Sequence, residues 1–577
     1  MSQQGSEAAD ASPRFRDNIR DPLVEQLIGS GKAFELEEVE VGGHSHKLFK
    51  GAARNLAGLY RQGMAFDARK MIVEGERVIT YGEGFAQAGA LAAALKRDFG
   101  VGEGTMVAIA TANRAEWIIA LLAVTSLGAV AVAVNSRGVA EEMLRAMDLV
   151  ATEVAILDAE RADLIAAERS DPAWPRIVVG EPQSGLRNGK DAAFAVLARP
   201  SADAPFDPVD VDPAAGGIVL FTSGTTGFPK AALLSQGAVA NSVALSVFMG
   251  ALQDRRYEEE NGETLPPEAL SMATPLVLLG PMFHLSGIMP VLRAVSVGTT
   301  IHIMGKWNAD LAFDMIENTG MTRLSFVPAM LWDMLRSPRA TPEMLGKVRY
   351  MMNGAAPLDP ELVDEIGQRM PHCLIATTYG QTEVTSFTSS NSGRTYIDNP
   401  DTVGWACPTV NVAIRRDDGR EADVGEPGEI WVSSPLLMTR YLNNPEATAE
   451  TLQDGWLASG DIGRFDENGL LTIVDRKKNM VISGGENIYC AEVERVLASH
   501  PAVREAIAYG RPDPRLGERV EATVVALQAD VSEEALKEHC KAHLAIYKVP
   551  RAISFRAEAL PRTASGKVDR GSFLKSL

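Results

Sequence analysis

The chain has 577 residues, 46% of them hydrophobic, so it is long enough for several folded units and apolar enough to bury sizeable cores. Its 75 acidic and 56 basic residues give a net charge of −19, which argues against general nucleic-acid binding. The four cysteines form no Cys-x-x-Cys pair, and the polar, acidic N-terminus lacks the features of a signal peptide. We therefore expect a reduced, cytoplasmic protein.

The first half of the chain alternates helical and strand-like segments. Residues 85–99 and 115–125 suit helices, whereas 106–110 and 130–134 are short apolar runs typical of buried strands. This alternation predicts α/β units on a largely parallel sheet. Residues 252–267 are rich in Glu, Arg, Gly and Pro, and we predict a solvated excursion there.

One apolar stretch, residues 117–134, is about as long as a membrane span. Its first half suits a helix, and its second half, after Gly128, is rich in residues that favour strands. A buried helix, a glycine turn and a buried strand explain this pattern better than a membrane helix does. We therefore predict that the chain has no integral membrane segment.

Residues 222–230, with the sequence TSGTTGFPK, follow the apolar run 218–221, which we predict to be a buried strand. Glycines let the backbone approach an anion closely, hydroxyl groups donate to phosphate oxygens, and a lysine supplies positive charge. The order differs from that of a Walker A loop, in which Gly-Lys precedes Ser or Thr. This composition predicts a phosphate-binding loop of another kind.

Three segments further along carry small or polar residues. The segment 281–287, PMFHLSG, contains a histidine that, by residue type alone, is most often a packed core residue. The segment 353–358, NGAAPL, is by itself most typical of a strand-to-helix turn, although its small side chains would leave room for a flat base against the backbone. In 378–383, TYGQTE, Tyr379 offers a flat ring, and Glu383 offers a carboxylate that could hold Mg²⁺ beside a phosphate site.

The composition changes in the second half of the chain. From about residue 403, glycines and prolines separate short strand-like pieces, which predicts a β-rich subdomain. The charged stretch 475–480, DRKKNM, precedes a last region with its own pattern of helices (491–499, 533–543) and strands (505–509, 521–527). We therefore predict a domain boundary at this charged stretch, followed by a small α+β domain.

Three more polar motifs lie in this second half. Asp461 follows Ser459 and Gly460, a Gly484–Gly485 turn follows the charged stretch, and residues 561–567, PRTASGK, end on a lysine. Taken one at a time, each of these is more often a turn or a solvated surface than a binding site.

Together, and in this order from about Thr80 to Lys567, the motifs resemble those of the adenylate-forming enzymes, and more narrowly of the acyl-CoA synthetases, the AMP-dependent acid–CoA ligases. The resemblance implies an α/β fold: a large multi-layer N-terminal domain with a β-rich subdomain (residues 1–475), a hinge at residues 476–478, and a small mobile α+β C-terminal domain (residues 479–577). It also implies ATP and Mg²⁺ as cofactors, with coenzyme A as co-substrate. Two departures, Asn479 for a common Asp and Cys490 for a frequent Pro, touch no implied chemical role.

The resemblance implies a role for each motif, residue by residue. The implied ATP and AMP site consists of Thr222, Ser223, Gly224, Thr225, Thr226, Lys230, Gly354, Ala355, Ala356, Thr378, Tyr379, Gly380, Thr382, Asp461 and Arg476. The other implied roles are catalysis (Lys567, Glu383, His284), metal binding (Glu383, Thr225), the hinge (Lys478), the coenzyme-A-side loop (Gly484, Gly485) and the acyl pocket (His284, Gly287, Val327).

The implied reaction has two steps. A carboxylate attacks the α-phosphate of ATP, giving an acyl-AMP and pyrophosphate, while Lys567 offsets the negative charge that builds up. The small domain then turns about Lys478, and coenzyme A takes the acyl group. The small or apolar residues expected around the acyl pocket favour a fatty, aryl or alicyclic acid.

Three alternatives stay open at this stage. The acceptor could be a carrier-protein pantetheine, which would make the chain an acyl-AMP ligase. A luciferase-like oxygenase uses the same adenylation motifs, and a catalytically inactive binding protein could retain them. The sequence leaves open which acid is used, its chain length and any peripheral membrane contact, and a homodimer is expected only by analogy with the family.

Overall fold

The computed structural model describes residues 21–222, 229–326, 328–353, 360–483, 486–527, 531–563 and 568–577. Within these ranges the strands form six sheets. The helices have the bounds Pro22–Ile28, Leu56–Met64, Tyr81–Phe99, Ala115–Ser126, Ala140–Leu149, Ala159–Glu168, Phe194–Leu197, Gln236–Asn261, Leu285–Val297, Ala309–Thr319, Pro328–Arg336, Pro342–Leu345, Pro360–Arg369, Arg394–Asp398, Pro445–Thr451, Cys490–Ala498, Glu533–His543 and Arg570–Lys575.

The largest sheet has eight strands and a parallel centre. Its strands in spatial order are Arg440–Tyr441, Lys230–Ser235, Gly216–Thr222, Val130–Ala133, Met106–Ala110, Val154–Asp158, Arg176–Val179 and Ala192–Ala193. The strands from Gly216–Thr222 to Ala192–Ala193 pair in parallel, and the first two run antiparallel to their neighbours. Apolar side chains fill both faces of this sheet, as parallel strands covered by helices require.

Two smaller sheets have two and four strands. A hairpin joins Leu36–Val41 to His44–Phe49 in antiparallel register. A four-stranded sheet has the order Leu276–Leu278, Ile301–Ile303, Lys70–Glu74 and Arg77–Thr80.

Two five-stranded sheets carry the segments between residues 323 and 476. The first has the order Arg323–Phe326, Tyr350–Asn353, Leu374–Gln381, Ser386–Ser392 and Trp405–Ala406. The second is antiparallel and forms the predicted β-rich part, with the order Asn411–Arg415, Gly428–Ser433, Trp456–Phe465 and Leu452–Gln453, and with Leu471–Arg476 also paired to Trp456–Phe465.

The last region has its own sheet and its own apolar core. Its strands are Glu486–Ile488, Val481–Ser483, Gly517–Ala526 and Val503–Asp513 in spatial order, and Ile553–Arg556 pairs in parallel with Gly517–Ala526. Helices Cys490–Ala498 and Glu533–His543 contribute Val493, Leu497 and Leu536 to the core beneath this sheet. The expected helices and strands of this region are therefore confirmed.

Local sequence signals fix several helix ends. The helix Tyr81–Phe99 begins at a capping box, in which the Thr80 and Glu83 side chains bond to each other's backbone N–H groups. It ends at Gly100, whose φ of 67° lies in the left-handed region that favours glycine.

The apolar stretch 117–134 divides as predicted. It forms the buried helix Ala115–Ser126, a turn with Gly128 at φ 72°, and the strand Val130–Ala133. No helix in the described part of the chain is long and apolar enough to cross a membrane.

The prediction of a solvated excursion at residues 252–267 is wrong over its first half. The helix Gln236–Asn261 continues through that half, and Asp254, Arg256 and Tyr257 are buried. The buried charges are paired, since Asp254 bonds to Arg323 and Arg256 bonds to the distant Asp21. Composition did not reveal these partners, which make burial of charged side chains tolerable.

Candidate active site

The predicted phosphate loop joins two antiparallel strands of the largest sheet. Thr222 ends the strand Gly216–Thr222, Lys230 begins the next strand, and the two residues lie opposite each other in the register. Ser223, Gly224, Thr225 and Thr226 lie outside the described residues. The two described ends of the loop are therefore adjacent, as a hairpin that presents its connection to a ligand requires.

The segment 378–383 approaches the same place from a different sheet. Thr378, Tyr379 and Gly380 belong to the strand Leu374–Gln381, whose pairing with the next strand shifts between Tyr379 and Gly380. A side chain at Gly380 would place its Cβ 2.2 Å from a neighbouring backbone oxygen, so the close strand contact requires glycine. Thr382 and Glu383 form a short 3₁₀ turn directly afterwards.

Tyr441 joins these two segments. Its hydroxyl group donates to Oε1 of Glu383 at 2.7 Å, and the Lys230 ammonium lies 4.8 Å from the centre of its ring. Burial and the Glu383 carboxylate raise the pKa of Tyr441 well above its usual value, while hydrogen bonds with Thr451 and Thr222 oppose the shift. The phenol therefore stays protonated and remains a donor. The sequence analysis missed Tyr441, because nothing in the segment around it suggests a link to residues 383 or 230.

The Glu383 carboxylate fits a magnesium ion that is shared with phosphates. Its second oxygen, Oε2, accepts no hydrogen bond from any residue that the structure describes. Mg²⁺ commonly uses one or two protein carboxylates together with water and substrate phosphates. The described residues contain no cluster of three or more His, Cys, Asp or Glu that could hold a metal ion.

A second polar cluster is built on the antiparallel sheet. Asp461 and Arg476 are paired across neighbouring strands, and Nε of Arg476 lies 3.1 Å from Oδ1 of Asp461. The Tyr379 hydroxyl donates to the other oxygen, Oδ2, at 2.7 Å. Burial first, and then the Asp461 charge, raise the pKa of Tyr379 well above its usual value. The structure thus brings Tyr379, Asp461 and Arg476 together, although they are far apart in sequence.

Lys478 lies beside this cluster, in the short 3₁₀ turn Lys477–Asn479. Partial burial lowers the pKa of Lys478, and the nearby cations Arg476, Arg570 and Lys230 lower it further, whereas Asp461 raises it. Part of this positive charge is offset locally, since Arg476 pairs with Asp461 and Arg570 pairs with Glu494.

Asp475 is a further residue that the sequence analysis missed. It is 5% exposed and lies at the end of the strand Leu471–Arg476. Its Oδ2 accepts a hydrogen bond from the backbone N–H of Ala491 at 2.8 Å, and its Oδ1 accepts one from that of Arg476 at 2.6 Å. It thus supplies a cap to the helix Cys490–Ala498, which receives none from the side chain preceding it.

His284 and Gly287 stand at the start of the helix Leu285–Val297. His284 is the residue before that helix, is partly exposed, and has its ring 4.6 Å from that of Phe283. Gly287 is buried, and an added Cβ would lie 2.3 Å from the Pro281 carbonyl oxygen, so only glycine allows this close turn.

This helix is tied to the turn that holds Glu383. The Ser242 hydroxyl lies 2.8 Å from the carbonyl oxygen of Thr385, to which it donates, and 3.3 Å from the Met289 sulfur. Val327, the third predicted member of the acyl pocket, lies outside the described residues.

Several predicted residues cannot be compared with the structure. Lys567 and the small residues of two predicted loops, Gly354, Ala355, Ala356, Gly484 and Gly485, lie outside the described ranges. Near Lys567, Arg562 and Val568 form an antiparallel bridge, and Arg562 pairs with Glu505 at 2.5 Å.

Known proteins resemble this chain in sequence and in fold. Residues 60–442 match the family model described as AMP-binding enzyme, and residues 492–567 match the AMP-binding enzyme C-terminal domain. The indoleacetate–CoA ligase of Aromatoleum aromaticum is 33% identical over 499 residues, which cover 85% of this chain and 92% of that protein. The long-chain-fatty-acid–CoA ligase of Mycobacterium tuberculosis is 32% identical over 496 residues, which cover 84% and 91%.

Solved structures of other proteins have a fold similar to that of this chain. The o-succinylbenzoate CoA synthetase from Bacillus subtilis, in complex with its acyl-adenylate intermediate, matches with a TM-score of 0.76 and 27% identity over 91% of this chain and 98% of that one. The same synthetase with ATP and magnesium ion matches with a TM-score of 0.72 and 27% identity over 89% and 98%.

The chain therefore belongs to the AMP-binding enzyme family. The predicted family, the α/β fold class with a small C-terminal domain, and ATP-dependent acid–CoA ligation through an acyl-AMP as the class of activity are all confirmed. ATP with magnesium, and coenzyme A, are confirmed as the cofactors and co-substrate of this class. The domain boundaries and the roles of individual residues stay predictions.

Proposed function

We propose that this protein activates an apolar carboxylic acid as an acyl-AMP and then transfers the acyl group to coenzyme A. The observation that supports this most directly is the convergence of three parts of the chain. Tyr441 joins the phosphate-loop strands to the Glu383 turn, and Tyr379 joins the segment before that turn to the Asp461–Arg476 pair. A hydroxyl-rich loop, a ring, a carboxylate and several cations suit the triphosphate, base and ribose of a nucleotide.

In the first half-reaction the substrate carboxylate attacks the α-phosphate, the bond from the α-phosphorus to the bridging oxygen breaks, and pyrophosphate leaves. We assign Lys230 and the loop after Thr222 to the leaving phosphates, and Asp461 with Arg476 to the ribose hydroxyl groups. Glu383 would hold Mg²⁺, which neutralises phosphate charge when it is bound. Lys567 would offset the charge that develops when two anions approach each other.

In the second half-reaction the thiol of coenzyme A attacks the acyl carbon, and AMP leaves. We assign the hinge to residues 476–478 and the domains to residues 1–475 and 479–577. The cap that Asp475 provides to the helix Cys490–Ala498 supports this placement, because one carboxylate holds backbone on both sides of the proposed pivot. Gly484 and Gly485 would face the thiol.

The proposed acid is apolar: fatty, aryl or alicyclic. Gly287 allows the close turn against Pro281 that places His284 at the start of its helix, and His284 would orient the carboxylate at the mouth of the pocket. Relatives that act on long-chain fatty acids and on indoleacetate support an apolar acid, whereas the o-succinylbenzoate synthetases act on an acid with a second carboxylate. The acid panel therefore includes a dicarboxylic aryl acid.

A reduced, cytoplasmic setting is part of the proposal, since the four cysteines are buried and unpaired. The homodimer expected from the family stays a prediction that light scattering of the purified chain would test.

The first experiment measures pyrophosphate release with ATP and Mg²⁺ across a panel of fatty, aryl and alicyclic acids, with and without coenzyme A. We expect acid-dependent release and a thioester that needs coenzyme A. Release without any thioester would move the acceptor to a carrier-protein pantetheine, and oxygen uptake would indicate a luciferase-like reaction. No release with any acid would contradict the proposal and favour an inactive binding protein.

A further inference from the structure

The segment that carries Tyr441 is fixed to both halves of the proposed nucleotide site. The backbone N–H of Met438 donates to the carbonyl oxygen of Glu383 at 2.8 Å. Directly afterwards, the strand Arg440–Tyr441 pairs antiparallel with Lys230–Ser235, at the edge of the largest sheet. The same short segment therefore holds the Glu383 turn against the strand that begins with Lys230.

The Tyr441 side chain uses both of its chemical faces. It is 5% exposed, its hydroxyl group donates to Oε1 of Glu383 at 2.7 Å, and its ring lies 4.8 Å from the Lys230 ammonium. No ion pair joins Lys230 to Glu383 in the part of the chain that the structure describes. The Tyr441 side chain thus contacts an anion through its hydroxyl group and a cation through the π face of its ring.

This separation matters because the Lys230 ammonium and the Glu383 carboxylate have opposite charges and both contact the Tyr441 side chain. A direct salt bridge between the Lys230 ammonium and the Glu383 carboxylate would neutralise both groups and bind the lysine that the phosphates need. The Tyr441 hydroxyl group holds one oxygen of Glu383, and the Tyr441 ring holds the Lys230 ammonium. Neither contact neutralises the charge of the group that it holds. Among the described residues, none donates a hydrogen bond to Oε2 of Glu383.

We propose that Tyr441 is a positioning residue for the adenylation reaction, which holds the Glu383 carboxylate and the Lys230 ammonium apart so that both can contact Mg²⁺-bound ATP. This inference rests on the proposed function, since it takes ATP as the ligand. It adds a residue outside the motifs on which the sequence analysis relied.

The test separates the hydroxyl group from the ring. Tyr441→Phe keeps the ring and removes the donor to Glu383, whereas Tyr441→Leu removes both contacts. Tyr60→Phe is the matched control, because Tyr60 is fully buried and its hydroxyl group bonds to Thr125 at 2.6 Å, in the helical layer. Calorimetric titration measures the affinity for ATP with Mg²⁺ and for ATP with a chelator, and pyrophosphate release is measured against Mg²⁺ concentration.

We expect Tyr441→Phe to weaken binding of Mg²⁺-ATP roughly tenfold, the cost of one hydrogen bond to a charged group. Binding of metal-free ATP should change by less than about twofold, because the ring still faces Lys230. Tyr441→Leu should weaken both, and Tyr60→Phe should weaken neither. The magnesium concentration needed for half-maximal pyrophosphate release should rise in the Tyr441→Phe variant.

A double variant guards against a trivial loss of packing. If Tyr441 acts through Glu383, then Tyr441→Phe should have no further effect on Mg²⁺-ATP affinity in a Glu383→Gln background. Additive losses, equal losses with and without Mg²⁺, or wild-type affinity in Tyr441→Phe would each overturn the inference alone. A wild-type protein that binds no ATP would overturn the proposed function as well.

Discussion

Asp475 gives the sharpest prediction about the proposed hinge. Its carboxylate accepts hydrogen bonds from the backbone N–H of Arg476, before Lys478, and from that of Ala491, after it. Tyr489, the residue that precedes the helix Cys490–Ala498, makes no side-chain cap, so Asp475 supplies the cap from outside. Rotation of the C-terminal domain about Lys478 would break the bond to Ala491, and Asp475→Ala removes it in advance.

The magnitude follows from the chemistry of a helix cap. Replacing a capping carboxylate with alanine costs about 1–2 kcal/mol. If that free energy holds the C-terminal domain in the orientation seen here, its loss should shift the equilibrium away from this orientation about five- to thirtyfold. The Arg495–Asp401 ion pair across this boundary adds little, since it spans 3.4 Å between two largely exposed side chains.

Energy transfer between two labels measures this equilibrium. The four native cysteines are buried, and burial raises the pKa of Cys490 to about 12, so introduced surface cysteines should react first. Asn468→Cys and Ala542→Cys place labels on exposed sites of the two proposed domains. Asp158→Ala is the matched control, because this carboxylate is 4% exposed and also accepts two backbone N–H groups, from Ala112 and Arg161.

We expect Asp475→Ala to broaden or shift the energy-transfer distribution and Asp158→Ala to leave it unchanged, although both variants lose stability. The two half-reactions should also change by different factors in Asp475→Ala, because each needs its own orientation of the domain. An unchanged distribution, together with a loss of stability equal to that of Asp158→Ala, would show that Asp475 is only a local cap and would refute the reasoning.

The remaining predictions concern catalysis, the hinge and stability. Lys567→Ala should lose most pyrophosphate formation, roughly 10²–10³-fold, yet still form thioester from a supplied acyl-AMP, and equal loss of both steps would count against its assigned role. Lys478→Pro should slow thioester formation more than adenylation, and unchanged rates would place the pivot elsewhere. Asp191→Asn should lower the free energy of unfolding by about 3–5 kcal/mol at neutral pH, because Asp191 is fully buried against Arg176. Although burial alone would raise it, hydrogen bonds from Arg187 and Arg176 hold the pKa of Asp191 well below its usual 3.8, so its contribution is complete above that pH and is lost as the pH falls below it. The difference between variant and wild type in denaturant melts should therefore shrink in acid, and a constant difference would contradict this assignment.

Periodic and locally capped elements could be predicted from the sequence. The division of residues 117–134 into helix, glycine turn and strand follows from side-chain type and one glycine, and the structure has the same division. The helices and strands of the last region also agree with their predicted positions. In each case the determinants lie within a few residues of each other, which is the range over which a single sequence carries structural information.

Contacts between distant segments could not be predicted in the same way. The composition of residues 252–261 predicts solvated chain, yet these residues are helical. Their charged side chains can be buried because Asp254 pairs with Arg323 and Arg256 pairs with Asp21. Charged side chains can enter a core when paired, but a sequence read without a fold does not show which residues become partners.

The candidate site shows the same difference between local motifs and contacts of distant segments. This difference explains which of its residues could be predicted from the sequence. Thr222, Lys230, Glu383 and Asp461 stand in compact motifs whose composition already suits a nucleotide. Tyr441 lies 58 positions from the carboxylate to which it donates, in a segment that has no unusual composition. Groups that contact a ligand must match its chemistry and so leave a signature in residue type. Groups that only hold those contacts in place must fit the neighbouring side chains of the protein, and many different sequences can provide such a fit. Supporting residues such as Tyr441 are therefore where a folded structure adds most to a reading of the chain.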